Sequence, residues 1–145
     1  MDSPDDLLAL DNQLCFALVT AARNVVGIYR PILEPLGLTH PQYLVMLALW
    51  ERSPQALGEL AADLAMEPAT LSPLVKRLEV QGLVTRGRRA DDERVLEIGL
   101  TDTGRRLRER ALEVPARVMA AVGMTIDEVT ALRDALAPFA GRRPR

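Results

Sequence analysis

Residues 55–84 read QALGELAADLAMEPATLSPLVKRLEVQGLV, and this stretch restricts the fold more than any other. Leu57, Leu60, Ala61 and Leu64 recur at three- and four-residue steps, as do Leu71, Leu74, Val75 and Leu78. Each set lays one apolar stripe along a helix, and the few residues around Met66 to Ala69 leave room only for a tight turn between them. The pattern predicts a helix-turn-helix. Pro68 suits a first helical position, and Pro73 is tolerable only close behind a helix start, so the second helix is expected to begin at about 68–70. Gly82 stands where a left-handed cap would end it. With the stripe facing inward, the 3.6-residue period turns Ala69, Pro73, Lys76 and Arg77 outward, with Thr70 and Ser72 on the flanks. Hydroxyl and cationic groups on such a face suit a DNA major groove; the competing reading is a helical hairpin with a solvated face.

The next segment, LVTRGRRADDERVLEIGL, has β-prone runs at Leu83–Thr85 and Val95–Leu100 around a charged loop. It predicts a β-hairpin, a wing beside the second helix. Arg86, Arg88, Arg89 and Arg94 would lie over phosphates or in a minor groove. Asp91, Asp92 and Glu93 are repelled by phosphate, and make sense there if at least one pairs with an arginine inside the loop. Otherwise the loop is merely solvated. The net charge of −2 argues only weakly against nucleic acid, because acidic residues crowd the start (Asp2, Asp5, Asp6, Asp11) and arginines crowd 86–94.

The flanks are helical. Leu7, Leu10, Leu14, Ala17, Leu18, Ala21, Val25 and Ile28 predict one amphipathic helix of about 25 residues, ended by Pro31 and Pro35. A helix that long and apolar at a chain end calls for a partner, which points to a homodimer. QYLVMLALW, apolar nearly all round, reads as a short buried helix with Pro41 in its first turn. A further helix is expected from a Thr101 or Thr103 cap to Gly123 with a kink at Pro115, then a last one opened by the capping box Thr125–Glu128. The fold class is therefore mainly α with a small β-hairpin wing, in one domain spanning 1–145. Dimerisation helices fall at about 5–30 and 101–140, and a winged helix-turn-helix at about 41–100. The tail GRRPR is expected to be disordered. No stretch has the length of a membrane span and MDSPDD is acidic where a signal peptide is basic, so the expected location is the cytoplasm. One cysteine and one histidine leave no zinc site, and nothing implies a cofactor.

That cysteine, Cys15, sits in LDNQLCFALV. Free cysteine is commonly a small buried hydrophobe. Leu18 and Val19 fit that role, but Asp11 and Asn12 lie one turn back, which puts the thiol at the edge of the stripe.

LSPLVKRLEVQGLVTRGRRADDERVLEIGLTDTG resembles the recognition helix and wing of MarR-family repressors, through its Asp-x-Arg pattern (Asp92, Arg94) and the following Leu100, Thr101 and Gly104. LDNQLCFAL, Tyr29 and LTHPQYLVMLALWE are similar to a narrower branch, the one-cysteine organic hydroperoxide sensors called OhrR. The resemblance covers nearly the whole chain. It implies a homodimer that binds an inverted-repeat operator in double-stranded DNA and releases it when oxidised. It also implies that Cys15 lies near the dimer interface, hydrogen-bonded by two tyrosines; one matches Tyr29, while His40 stands in place of the other, and imidazole also donates. Reactivity requires thiolate, which such donors favour. Oxidation by an organic hydroperoxide gives a sulfenic acid; with no second cysteine it condenses with a small external thiol or a backbone nitrogen, or over-oxidises. Two other readings stand beside this one. One is a repressor released by a small aromatic or phenolic ligand in the cleft between the DNA-binding and dimerisation parts; the other is a thiol enzyme using Cys15 and His40, for which no catalytic motif is present.

Overall fold

The computed structural model describes residues 3–140, so the GRRPR tail lies outside the described residues. In chain order the elements are α1 (Pro4–Leu8), α2 (Leu14–Leu33), α3 (His40–Glu51), β1 (Gln55–Ala56), α4 (Leu57–Asp63), α5 (Pro68–Val80), β2 (Val84–Arg88), β3 (Leu96–Leu100), α6 (Asp102–Ala111), α7 (Val114–Val122) and α8 (Ile126–Leu136). The architecture is the expected one: α4 and α5 form the helix-turn-helix, and β2 and β3 form the wing. The antiparallel sheet has the order β1-β3-β2, with Val84 opposite Leu100, Arg88 opposite Leu96 and Gln55 opposite Ile98.

Helix α5 begins at Pro68, as its prolines require, and buries Leu71, Val75 and Leu78. These pack with Leu60 of α4, Val45, Met46 and Leu49 of α3, and Ile98 of β3 in one core. Gly82, at φ +78, turns the chain from α5 into the wing, and the Leu83 N–H donates to the Leu78 carbonyl. The third strand escaped the sequence reading because it is only two residues long. It is anchored by buried Gln55, whose Nε2 donates to the carbonyls of Ala48 (3.0 Å) and Arg52 (2.7 Å) at the end of α3.

The wing is locked to α6 by the Leu100-Thr101-x-x-Gly104 segment. Thr101 Oγ1 donates to the Gly82 carbonyl (2.6 Å) and accepts from the Gly104 N–H (3.0 Å), capping α6. Gly104 allows the helix to touch the chain leaving α5, since a Cβ there would stand 2.1 Å from the Leu83 carbonyl oxygen. Gly104→Ala is expected to destabilise the fold by about 3 kcal/mol through this backbone collision, read as a lower denaturant midpoint.

Three expectations are corrected. The single N-terminal helix is broken at Ala9 and Gln13, both extended. Asn12 Nδ2 donates to the Asp6 carbonyl (2.7 Å), and Gln13 Nε2 to those of Leu7 (2.8 Å) and Ala9 (2.9 Å), so side-chain amides take the bonds a continuous helix would make. Pro31 does not end α2, which runs on to Leu33; fully buried Leu33 and core-packed Ile32 offset the one backbone bond that proline removes. The helix expected over 101–123 is two, α6 and α7, separated at Leu112 and Glu113, with Pro115 in the first turn of α7. The wing strands also shift slightly from the expected 83–85 and 95–100.

Candidate DNA interface and thiol site

On α5, Ala69, Thr70, Pro73, Lys76 and Arg77 are exposed and Ser72 is half-buried, as the period predicts. Lys76 and Arg77 make no ion pair among the described residues. The outward face runs one turn further, to Val80; continuing the same period from Ala69 would have reached it.

The four wing arginines divide into two kinds. Arg86 Nε donates to Glu79 of α5 (3.2 Å), and Arg89 Nε to Glu97 of β3 (3.0 Å); both arginines are half-buried. The hydrogen bond from Arg89 to Glu97 raises the guanidinium's affinity for its proton further. Arg86 braces the wing against α5, and Arg89 ties the tip of the wing to its own second strand. Arg88 and Arg94 are exposed instead, and the Arg94 side chain is 91% accessible. Asp92 holds Arg94 from below: its Oδ1 accepts from the Arg94 Nε and backbone N–H, both at 3.1 Å. Those bonds hold the Asp92 carboxyl below the ordinary carboxylate range. The Asp-x-Arg spacing is thus a clamp in which Asp92 positions and Arg94 projects, so at least one of the acidic residues does pair inside the loop. Glu79 and Glu97, the partners of the bracing arginines, were not legible in advance because they lie on other elements.

The break at Gln13 decides where the thiol stands. Cys15 is the second residue of α2 and is exposed. It therefore sits in the first turn of the helix, where backbone N–H groups have no intrahelical acceptor. Tyr29 lies fourteen residues further along the same helix, about 21 Å at 1.5 Å per residue. His40, the first residue of α3, packs edge-on against Tyr29 with ring centroids 4.8 Å apart. Tyr43, which sequence alone did not single out, also lies against Tyr29, with ring centroids 5.8 Å apart. The structure thus joins Tyr29 and His40 and keeps Cys15 far from both within one chain.

Burial raises the Tyr29 and Tyr43 phenols and lowers His40 below its ordinary 6.5, so His40 is neutral near pH 7. A lowered histidine contributes stability that is complete above 6.5 and is lost as pH falls through the lower folded value. The denaturant midpoint is expected to drop as pH falls from about 6.5 to the lower folded value and to level off beneath it, and His40→Tyr is expected to flatten this part of the profile.

The family model described as "Transcriptional regulator SarA/Rot" matches residues 27–110. The chain is 37% identical to the organic hydroperoxide resistance transcriptional regulator of Bacillus subtilis over 136 residues, 94% of this chain and 92% of that one. It is 46% identical to the HTH-type transcriptional regulator TtmR of Methylorubrum extorquens, over 92% of this chain and 68% of that one. Among solved structures, it is similar to AbfR of Staphylococcus epidermidis bound to DNA in the reduced form, at TM-score 0.78 and 34% identity over 94% of this chain and 96% of that one. The overoxidised, DNA-bound form gives 0.76 at the same identity and coverage.

Proposed function

The chain belongs to the MarR-type winged-helix transcriptional regulators, among the SarA/Rot and organic hydroperoxide regulators, and from that premise we propose a repressor that leaves its operator when Cys15 is oxidised. The observation that carries the DNA half of this reading is the joint presentation of α5 and the wing, with Lys76, Arg77, Arg88 and Arg94 all exposed on consecutive elements. Cations in that arrangement grip phosphates on either side of a major groove. A DNA-bound relative of the same fold supports it. A regulator of this kind works beside the chromosome, which is our ground for placing it in the cytoplasm; no helix among the described residues is long and apolar enough to cross a membrane.

The redox half needs two copies. Of the twenty residues of α2 only Leu33 is buried, and Leu14, Phe16, Val19, Val25 and Val26 stand exposed, as do Leu7, Leu8, Ile126, Leu132 and Leu136 on α1 and α8. One chain leaves these faces in water, so we assign them to a homodimer, which in turn selects an inverted repeat. Because Cys15 and the Tyr29–His40 pair sit about 21 Å apart on one chain, a second copy is what could bring donors to the thiol. The same separation leaves no nucleophile–base pair within a chain for a Cys15–His40 enzyme, and the relatives are regulators. In the proposed sequence the thiolate attacks the terminal peroxide oxygen, an S–O bond forms as the O–O bond breaks, and the alkoxide leaves and takes a proton from water to give a sulfenic acid and an alcohol; an external thiol then forms a mixed disulfide with loss of water. Binding to the protein's own upstream DNA, with and without an organic hydroperoxide, tests the reading: release on oxidation supports it, and indifference refutes it.

A second reading has its own observation. A cleft of about 590 Å³ lies between α3–α4 and α6–α7, with Tyr43, Leu47, Trp50, Asp63, Leu64 and Arg108 in its walls. It is where a ligand-released repressor would take a small aromatic or phenolic effector. Release of DNA by such a compound without peroxide would favour it.

A further inference from the structure

The outward face of α5 is unusual in what it presents. At 100° per residue, Ala69, Pro73, Lys76 and Val80 fall within about 60° of one another, opposite the buried Leu71, Val75 and Leu78. Three of these four are hydrocarbon, and Val80 is 87% exposed. A solvent-facing isopropyl group at the C-terminal end of this face, beside Lys76 and Arg77, is not explained by phosphate binding.

Polar side chains that could read bases in pairs are scarce here. Gln42 and Gln81 border the C-terminal end of this face, but their amides are committed: Gln42 Nε2 donates to Gln81 Oε1 (3.1 Å), and Gln81 Nε2 to the Gly37 carbonyl (2.8 Å). Glu79, a possible acceptor for cytosine, is held by Arg86 at 3.2 Å. That leaves Arg77 and the hydroxyls of Thr70 and Ser72. Around the apolar strip stand Lys76 and Arg77, with Arg88 and Arg94 on the wing, so charge complementarity selects a polyanion as its occupant. Among the groups a major groove displays at its base edges, the thymine C5 methyl is the hydrocarbon one.

We propose that α5 reads its operator mainly by packing Ala69, Pro73 and Val80 against thymine methyl groups, in place of bidentate hydrogen bonds. The proposal rests on the DNA-binding reading above and specifies how that site discriminates. Each buried methyl adds about 0.8 kcal/mol, roughly a fourfold preference, and a two-fold operator uses each contact twice, giving about sixteenfold per symmetric pair.

The experiment uses the full chain and a duplex enriched by it from a random inverted-repeat pool made with thymidine. Deoxyuridine then replaces thymidine at one position of each half-site at a time, which deletes the methyl and nothing else. At fixed salt, a subset of these duplexes is expected to bind about sixteenfold more weakly, with an unchanged salt slope. Val80→Ala, harmless to folding at so exposed a position, is expected to erase the uracil penalty at the pair it faces, and Pro73→Ala at another. Equal affinity for thymidine and deoxyuridine duplexes throughout would overturn the proposal while leaving DNA binding intact. Failure to enrich or bind any duplex would overturn the DNA-binding reading and this inference with it.

Discussion

Arg94→Ala is expected to weaken operator binding by about one to two orders of magnitude, a larger loss than from any other single wing arginine. A guanidinium held at the wing tip by Asp92 and still 91% accessible is preorganised for phosphate or a narrow minor groove. Little side-chain freedom is then lost on binding, so removal forfeits nearly the whole contact. Asp92→Asn leaves the cation in place but weakens its support, and is expected to act in the same direction less strongly. Arg86→Ala and Arg89→Ala behave differently, because those side chains brace Glu79 and Glu97: the denaturant midpoint should fall while the salt slope of binding stays near that of the native protein. Lys76→Ala, by contrast, should lower the salt slope by about one unit. Fluorescence anisotropy across a salt series separates the three patterns. Native affinity in Arg94→Ala would remove the wing from the interface.

Oxidation is expected to slow about tenfold when either Tyr29 or His40 is replaced by Phe, since a hydrogen bond to a charged group contributes about 1.5 kcal/mol. His40→Tyr should keep fast sensing. The decisive arrangement is a mixed dimer of one Cys15→Ser subunit and one subunit carrying both Phe replacements. Its single thiol lies on the chain that lacks the donors, about 21 Å from where they would be, yet faces native donors on the other chain. Thiol loss followed by mass spectrometry should therefore run at the native rate. A slow thiol in that dimer would place the donors on its own chain, which the length of α2 forbids, and so would dismiss them as activating groups.

The helix-turn-helix, the wing and the outward face of α5 were legible because each rests on local periodicity or on chemistry a few residues apart. That at least one loop carboxylate pairs with an arginine followed from the repulsion free carboxylates would meet near phosphate, whereas the particular Asp92–Arg94 spacing was singled out by the resemblance. What sequence could not show depended on competition between backbone and side-chain bonding. The apolar steps continue unbroken through residues 7–28, yet the amides of Asn12 and Gln13 close off α1 and restart the helix just before Cys15. That restart places the thiol in the first turn of α2 instead of midway along a longer helix. The two-residue strand β1 and the bracing partners Glu79 and Glu97 were hidden for another reason: their meaning comes from elements that pack only in three dimensions.

In the proposed mechanism Cys15 converts oxidation into DNA release. A mixed disulfide there adds a bulky polar group at the start of α2, on the apolar face assigned to the dimer, so repacking shifts two recognition helices out of register with successive grooves. The direct measurement is a mobility shift of native protein and Cys15→Ser on the same operator, each with organic hydroperoxide plus a small thiol. Because Cys15 is exposed in the chain and the swap nearly isosteric, both should bind alike beforehand. The native protein is expected to release the operator and Cys15→Ser to stay bound. Equal release from both would contradict that mechanism and pass the regulatory role to the cleft beside Arg108.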